Sequence, residues 1–557
     1  MVRPSSLCVA SLLVLAHVSD ARGQQKPPVA QPGQIERQFQ RPPEPSAKPG
    51  AITIPEAGQK PPENADSVKI VLNNLTVDGV KAYRPDALRA TYANLLQKEV
   101  TLADIYRIVE TLTARYRNDG YILSQVFVPA QTVEDGAVRL QAIEGYIANV
   151  RVEGGSAALQ RRVQKYGDKI KAARPLTMAA LERYVLLVND LPGVVAHAVL
   201  APSSVPGASD LVLQVSRRVA AIDLSSDNRG ARSQGPARTS ADLNLRSLVG
   251  VASSTELRTV TSFNKELTYL ALSHNQFIGA EGGNLSLAAS YVYSQPKELS
   301  VVPLNLTTWS GTASVSYTQP ILRRRSHNLY LHGGLSAFNS TTTVFGINDT
   351  IDRVRSVSLG LTYDGADGLG GVNVVDLAFS QGLTGLGASR AGAELLSRAT
   401  GRADFRKTTL YAQRLQSLGG KWSLLFGLNG QYAATDLLAS EMFSVGGELF
   451  GRGYDPSALL NDHGAAAKLD LRYSQTWGGR RPISLMPYVF GDAGRVWQRT
   501  PLPGLASSES LASAGGGIRL SVGTLLSGFV EVGKPFNTIV GQDTSRNARV
   551  YAGVSVR

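Results

Sequence analysis

The chain reads as mainly β: a transmembrane 16-stranded antiparallel β-barrel preceded by two small periplasmic α+β units. Three observations predict this. The first residues have the form of a secretory signal, the remainder contains no cysteine, and strict period-two alternation recurs from about residue 218 onward.

The signal assignment covers residues 1–23. Arg3 supplies the positive end, Leu7 to Val18 the short apolar run, and Ser19-Asp20-Ala21 the small residues of a cleavage site. That run falls short of the ~18 apolar residues of a membrane helix, and no later stretch reaches that length. The one cysteine, Cys8, sits near the start of the apolar run. A lipid-anchor cysteine would close the run instead. The exported chain therefore has no disulfide, cysteine metal site or cysteine nucleophile, as suits an oxidising periplasm.

With 57 Lys and Arg against 44 Asp and Glu, the net charge is +13. The cations are scattered singly through alternating segments, with no basic helix and no interleaved aromatics. No nucleic-acid partner is expected; solvated strand faces and a cationic channel lining account for the charge better.

Residues 24–65 are rich in Pro and Gln, as in Arg41-Pro42-Pro43-Glu44-Pro45. They are expected to be an extended linker. Gln34 to Gln40 can form a short helix before the prolines end it. Residues 66–146 form the first unit, in which Thr101 and Asp104 make a capping-box pattern. Leu102, Ile105, Val109, Leu112 and Tyr116 follow at helical spacing, and Asn118-Asp119-Gly120 stops the helix. Strands are expected at Tyr121 to Val128 and Ala137 to Ile143. Residues 147–217 form the second unit. Its helix starts near Thr177, with Leu181, Val185 and Val188 on one face, and ends at Asn189-Asp190-Leu191-Pro192-Gly193. Strands follow near Val194 to Leu200 and Leu211 to Val215.

Residues 218–557 form the barrel. Leu285, Leu287, Ala289, Tyr291 and Tyr293 oppose Ser286, Ala288 and Ser290. Val357, Leu359, Leu361 and Tyr363 oppose Ser356, Ser358, Gly360 and Thr362. Leu469, Leu471 and Tyr473 oppose Lys468, Asp470 and Arg472, while Ile518, Leu520 and Val522 oppose Arg519 and Ser521. A soluble sandwich also alternates. The signal, about sixteen segments of roughly ten residues each, and the polar second face favour a membrane barrel. An even count returns both ends to one side, which leaves the N-terminal units in the periplasm.

Within the barrel stands Ser444-Val445-Gly446-Gly447-Glu448-Leu449-Phe450-Gly451-Arg452-Gly453-Tyr454, answered later by Phe490-Gly491-Asp492-Ala493-Gly494. An Arg folded into a lumen needs a carboxylate partner, and Asp492 on a later strand is the candidate for Arg452. Such a pair provides two parallel charge-assisted hydrogen bonds. Gly451 and Gly453 allow a tight approach to the wall, and Tyr454 can pack its ring there while its hydroxyl hydrogen-bonds.

Together these residues resemble the TpsB-type two-partner secretion transporters of the BamA-like superfamily. In the order of the family's first POTRA domain stand Gly120-Tyr121-Ile122, Val128-Pro129-Ala130-Gln131, Asp135-Gly136 and Glu144-Gly145. The second unit carries Asn189-Asp190-Leu191-Pro192-Gly193 and Pro206-Gly207-Ala208-Ser209-Asp210-Leu211, and Asp227-Asn228-Arg229-Gly230 resembles the barrel's opening. The resemblance implies a sixteen-stranded outer-membrane barrel with two periplasmic POTRA domains and a plug helix, which would fall near Ile35 to Phe39. It implies a large secreted exoprotein as partner, threaded unfolded through the barrel. Outer-membrane lipid surrounds the barrel, and the barrel assembly machinery takes part in its biogenesis. It also implies that Arg452 pairs with Asp492, in a strand where Phe490 and Gly494 complete the motif, and that the pair holds the loop in a transport-competent position. Docking by β-augmentation would use the first unit near Tyr121, Val126 and Val128 or the second near Val194 and Val199. Two departures from the family pattern are evident. Gly451 precedes Arg-Gly-Tyr where the family usually has Val, and the chain ends Val554-Ser555-Val556-Arg557 without a terminal aromatic.

No catalytic, cofactor or metal constellation competes. His327 and His332, at i and i+5, fall on opposite strand faces, and Gly420-Lys421 is followed by Trp422, so it is no phosphate loop. Other readings are an insertase-like assembly factor, which usually has three or five POTRA units, a passive porin or receptor, and a soluble periplasmic enzyme.

Overall fold

The computed structural model describes residues 31–40, 42–43, 59–297, 302–501, 506–539 and 545–557; the expected signal peptide lies outside these. The described chain opens with α1 (Pro32–Gln38), a short helix seated inside the barrel. It stands where Gln34 to Gln40 could form a helix, and Ile35 and Phe39 find an apolar wall to bury against.

In the first unit, β1 (Lys69–Leu72), β2 (Asn74–Asp78), α2 (Pro85–Arg89), β3 (Lys98–Thr101), α3 (Leu102–Asn118), β4 (Gln125–Phe127) and β5 (Ala137–Ile143) follow in order. The sheet order is β2-β5-β4, with β2 parallel to β5, while β1 and β3 pair separately. The capping box starts α3: the Asp104 amide donates to Thr101 Oγ1 at 3.2 Å and the Thr101 amide to Asp104 Oδ2 at 2.7 Å. Ile105, Val109, Leu112 and Tyr116 then bury against Leu72, Leu88, Val126 and Leu140.

The strand expected over Tyr121 to Val128 shrinks to the three residues of β4. Gly120, at φ +92°, ends the helix in the left-handed region, and the Ser124 amide turns back to the Tyr121 carbonyl at 3.0 Å. Tyr121 is thereby moved off the sheet into edge contact with Tyr83 and Tyr116.

The second unit comprises β6 (Tyr146–Glu153), α4 (Ala157–Ala172), α5 (Met178–Asn189), β7 (Val194–Pro202) and β8 (Ala208–Arg217). Its sheet order β6-β8-β7 leaves β7 as an edge strand. Helix α4 and strand β6 were not anticipated. Arg161, Arg162, Gln164, Lys165, Asp168 and Lys169 make α4 read as a polar stretch. Its buried stripe of Leu159, Val163, Tyr166 and Ile170 nevertheless closes the core.

Sixteen strands close the barrel. They begin with β9 (Ala220–Asp227), β10 (Arg238–Arg246), β11 (Ser253–Ser262), β12 (Leu267–Ile278), β13 (Gly283–Ser294) and β14 (Thr307–Arg323). Next come β15 (His327–Val344), β16 (Ile347–Ala366), β17 (Gly371–Gly382), β18 (Arg406–Gly419) and β19 (Trp422–Ala433). A loop hairpin of β20 (Phe443–Val445) and β21 (Leu459–Asn461) intervenes. Then β22 (His463–Tyr473) continues as β23 (Gln475–Trp477), counted as one strand, before β24 (Ile483–Trp497), β25 (Ser508–Val522), β26 (Leu526–Pro535) and β27 (Arg549–Val556). Antiparallel pairing of β27 with β9, from Gly553↔Asp227 to Val556↔Leu224, completes the circle. Closure leaves no open edge in the bilayer, as a lipid-embedded sheet requires.

The alternation has the expected sense. Leu287, Tyr291, Leu359, Leu361, Ile518 and Leu520 are exposed on the outer face. Ser294, Ser310, Asp364, Asp470 and Asp492 are buried on the inner one. Short turns such as 420–421 and 523–525 lie at the end nearest the α+β units, and the long loops 383–405 and 434–462 at the other.

The second unit is locked to that near rim. Arg323 donates to both oxygens of Asp190, Nε at 2.8 Å and Nη2 at 2.7 Å. Glu281, in the β12–β13 turn, accepts from Lys169, Arg183 and Tyr184. Burial pushes the Glu281 carboxyl up, but those three donors outweigh it and hold it below the usual carboxylate range. A depressed folded value means that this contact contributes fully at neutral pH and is lost on acidification below the ordinary value. We predict that Asp190→Ala, which leaves the Arg323 guanidinium uncompensated, loosens the joint by on the order of 2 kcal/mol. Hydrogen exchange of α4 and α5 should quicken in that variant while the barrel strands stay protected.

Candidate functional site

The long loop 434–462 folds back into the barrel because β20 and β21 pair as a stem, Phe443↔Asn461 to Val445↔Leu459. Its tip is tightened by glycines in the left-handed region. Gly446, Gly447 and Gly451 have φ of +123°, +88° and +103°, and the Gly446 and Gly447 amides donate to the carbonyls of Phe450 and Gly451. The glycine in place of the family's usual Val at Gly451 therefore has a backbone cause, since a β-branched residue is strained at that φ.

Arg452 is buried in the lumen at 4 % exposure. Its Nε and Nη2 donate to Asp492 Oδ2 and Oδ1 at 3.0 and 2.7 Å, and its backbone amide donates to Oδ2 at 2.9 Å. Nη2 also reaches Asp470 Oδ1 at 2.6 Å, and Nη1 lies 3.8 Å from Glu531. Phe490 lies flat beneath the guanidinium, 3.6 Å from its carbon. Two further cations complete the cluster: Arg472 on Asp470 at 2.7 Å and Arg229 on Glu531 at 3.0 Å. Tyr488 donates to Glu531 at 2.6 Å. Three guanidiniums thus face three carboxylates, which is how a buried charge of either sign is kept compensated.

The neighbours of Arg452 are fixed as tightly. The Gly453 amide donates to Ser513 Oγ, and a Cβ on Gly453 would stand 2.8 Å from Ser513 Cβ. Tyr454 buries its ring and places its hydroxyl 2.8 Å from the Asn537 carbonyl. A Cβ on Gly494 would meet Val445 at 2.5 Å, so that glycine admits the loop stem to the wall. Asp455, next along, accepts from Arg232 at 3.1 Å and Arg549 at 2.8 Å. Arg232 follows β9 and Arg549 lies on β27, so Asp455 bridges the two strands that close the barrel.

Gly451, Arg452, Gly453, Tyr454, Phe490, Asp492 and Gly494 all meet in this one site. Sequence reading did not single out Asp470, Glu531, Arg229, Asp455 or Tyr488 as members. The inward parity of Asp470 and the lone Glu531 between Val530 and Val532 were the available signals.

The docking candidates separate. Val126 and Val194 stand on edge strands β4 and β7 but bury their side chains, at 3 % and 6 % exposure, and Tyr121 lies off the sheet in the aromatic cluster. The cause is parity: Val126 and Val194 point to the helix-covered face of their sheets. Val128 is half-buried, and the Gln59 side chain pairs with its amide at 2.9 Å and its carbonyl at 3.4 Å. Val199 stands exposed on edge strand β7, beside exposed Val195 and Leu200.

A second element occupies the lumen. Helix α1 packs Ile35 and Phe39 on Val260, Leu267, Tyr269 and Val292. Glu36 accepts from Ser290 at 2.6 Å and Thr312 at 2.8 Å. Gln34 donates to the carbonyls of Ala439 and Met442, and Arg37 reaches the Met442 carbonyl and, at 3.5 Å, Glu441.

Comparison with known proteins decides the family. The model of the haemolysin secretion/activation proteins ShlB/FhaC/HecB matches residues 207–520, more than half of the chain. The chain belongs to that family. A ShlB-type POTRA domain model matches residues 70–145, the first unit. The heme/hemopexin transporter protein HuxB of Haemophilus influenzae is 23% identical over 473 residues, 81% of each chain. The outer membrane transporter CdiB of Dickeya dadantii is 24% identical over 397 residues, 70% of this chain and 69% of that one. Among solved structures, CdiB from Escherichia coli superposes with a TM-score of 0.75 at 19% identity, covering 100% of this chain and 99% of that one. The protein is a TpsB-type outer-membrane transporter whose POTRA domains lie in the periplasm.

Stability provides a direct reading of the cluster. Arg452→Ala would leave Asp492, Asp470 and Glu531 facing one another with one cation fewer, a loss of about 3–5 kcal/mol. The folded barrel, followed by its faster migration in unheated gels, should unfold at a lower temperature in Arg452→Ala. Arg452→Lys, which keeps the charge without the fork, should fall between that variant and the wild type.

Proposed function

We propose that the POTRA domains receive an unfolded exoprotein in the periplasm and that the barrel passes it through its lumen to fold outside. The family's outer-membrane transport activity is the ground for this reading. The observation that carries it is the Arg452–Asp492 cluster, which fixes a long loop inside the lumen where a translocating chain would pass. Transport through the lumen also agrees with Asp455 bridging β9 and β27 from within. An assembly factor that admits other barrels would benefit from a seam free to part.

Docking is assigned to the β7 edge of the second POTRA domain. Its exposed Val195, Val199 and Leu200 offer apolar contacts beside the free backbone edge to an added strand. At the first domain, Gln59 already occupies the backbone groups of Val128. The exoprotein is a large secreted polypeptide, and no cofactor or nucleotide is needed, because folding outside biases its movement.

The test compares the secreted and surface proteins of wild-type, deletion and Arg452→Ala cells by mass spectrometry. One large secreted protein should disappear from both mutants, with Arg452→Ala barrel still present in the outer membrane. A broad fall in other outer-membrane barrels would instead identify an assembly factor, and unchanged secretion in Arg452→Ala would remove the loop from the mechanism.

A further inference from the structure

The two elements in the lumen are held by different kinds of chemistry. Withdrawing Arg452 would strip Asp492 of its guanidinium in a buried site and take a second cation from Asp470 and Glu531, so the loop tip is a permanent fixture. Many of the groups that hold helix α1 are neutral. Glu36 rests on the hydroxyls of Ser290 and Thr312, and Gln34 on the carbonyls of Ala439 and Met442. Three charged wall groups meet α1: Glu441 faces Arg37, Arg258 donates to the Phe39 carbonyl at 3.1 Å, and Arg238 lies over the Phe39 ring, these two arginines being paired in the wall with Asp242 and Asp227.

Glu441 has a second cation of its own. Lys407, buried on the inner face at the outer end of β18, donates to Glu441 Oε2 at 2.6 Å and to its carbonyl at 3.1 Å. The lysine belongs to the wall and stays when α1 leaves, while Glu36 and Arg37 depart together into water. Hydroxyls and carbonyls left behind are readily hydrated, and Glu441 remains paired. We propose that Lys407 is the resident counter-ion that makes α1 a removable plug, and so sets how often the lumen opens. The proposal rests on the reading of the barrel as a conduit that α1 closes.

The consequence runs against the usual effect of deleting a wall residue. Without Lys407, Arg37 is the one cation on the Glu441 carboxylate among the described residues, and departure of α1 would leave it uncompensated. Lys407→Met should therefore hold the plug in, and Lys407→Arg should restore release.

Single-barrel conductance of the full-length protein in planar lipid bilayers tests this, after gel mobility has shown that each variant is folded. Opening events in Lys407→Met should be roughly tenfold or more rarer than in wild type, as expected for an uncompensated charge. Lys407→Gln supplies the same comparison where the Met variant inserts poorly. Pairing Lys407→Met with Glu441→Gln should return opening to at least the wild-type frequency, a rescue that a merely structural lysine would not show. Equal opening in wild type and Lys407→Met, or no recovery in the double variant, would overturn the counter-ion role. A protein lacking residues 31–40 separates the two ideas. If it conducts no more than wild type, the plug reading fails. If it opens freely while Lys407→Met matches wild type, only the role of Lys407 fails.

Discussion

A guanidinium cannot be buried without carboxylates to receive it, and that constraint organises the lumen of this barrel. Arg452 arrives on a loop, but its acceptors Asp470, Asp492 and Glu531 stand on β22, β24 and β26. The loop therefore has one place to go. Its glycines, its hairpin stem and the small residues of the facing wall serve that single geometry. Gly494 gives way to Val445, and Gly453 lies against Ser513. Through Glu531 and Arg229, and through Asp455 with Arg232 and Arg549, the same cluster reaches the seam where the barrel closes. Loop position and barrel closure are thus parts of one electrostatic assembly.

The periplasmic side obeys a related rule with weaker bonds. The second POTRA domain is held to the rim by Asp190–Arg323 and by the Glu281 cluster, all partly open to water. Such pairs orient a domain without making it immovable. The contacts of the loop tip in the lumen are multiply charged, whereas many of those that hold α1 are neutral.

Much of this was legible in the sequence because two periodicities are hard to disguise. The alternation of Leu359, Leu361 and Tyr363 with Ser358, Gly360 and Thr362 fixes which face meets lipid, whatever the loops do. Capping at Thr101 and Asp104 is equally local. The pairing of Arg452 with Asp492 was expected because a guanidinium folded into a lumen needs a carboxylate, and because the family resemblance implies it. What escaped was set by tertiary context. Asp470 and Glu531 look like ordinary luminal polar residues until register aligns β22 with β24 and, across β25, with β26. Tyr121 has strong strand propensity, yet Gly120 and Tyr83 draw it into a turn. Helix α4 hid behind its basic residues, because it is stabilised by a surface distant in the chain.

The claim that Arg452 holds the loop in the lumen can be measured without reference to any transported protein. Cys8, in the expected signal segment, is the one native cysteine, so nitroxide labels can be placed singly at Glu448 on the loop and Thr524 in the β25–β26 turn. Pulsed electron resonance then gives the distance distribution between them in lipid. A single narrow distance in the otherwise wild-type protein, broadened or displaced by Arg452→Ala in a barrel that remains folded, is the predicted result. The same narrow distance in both proteins would contradict the account, because the loop would then be held by something other than its arginine.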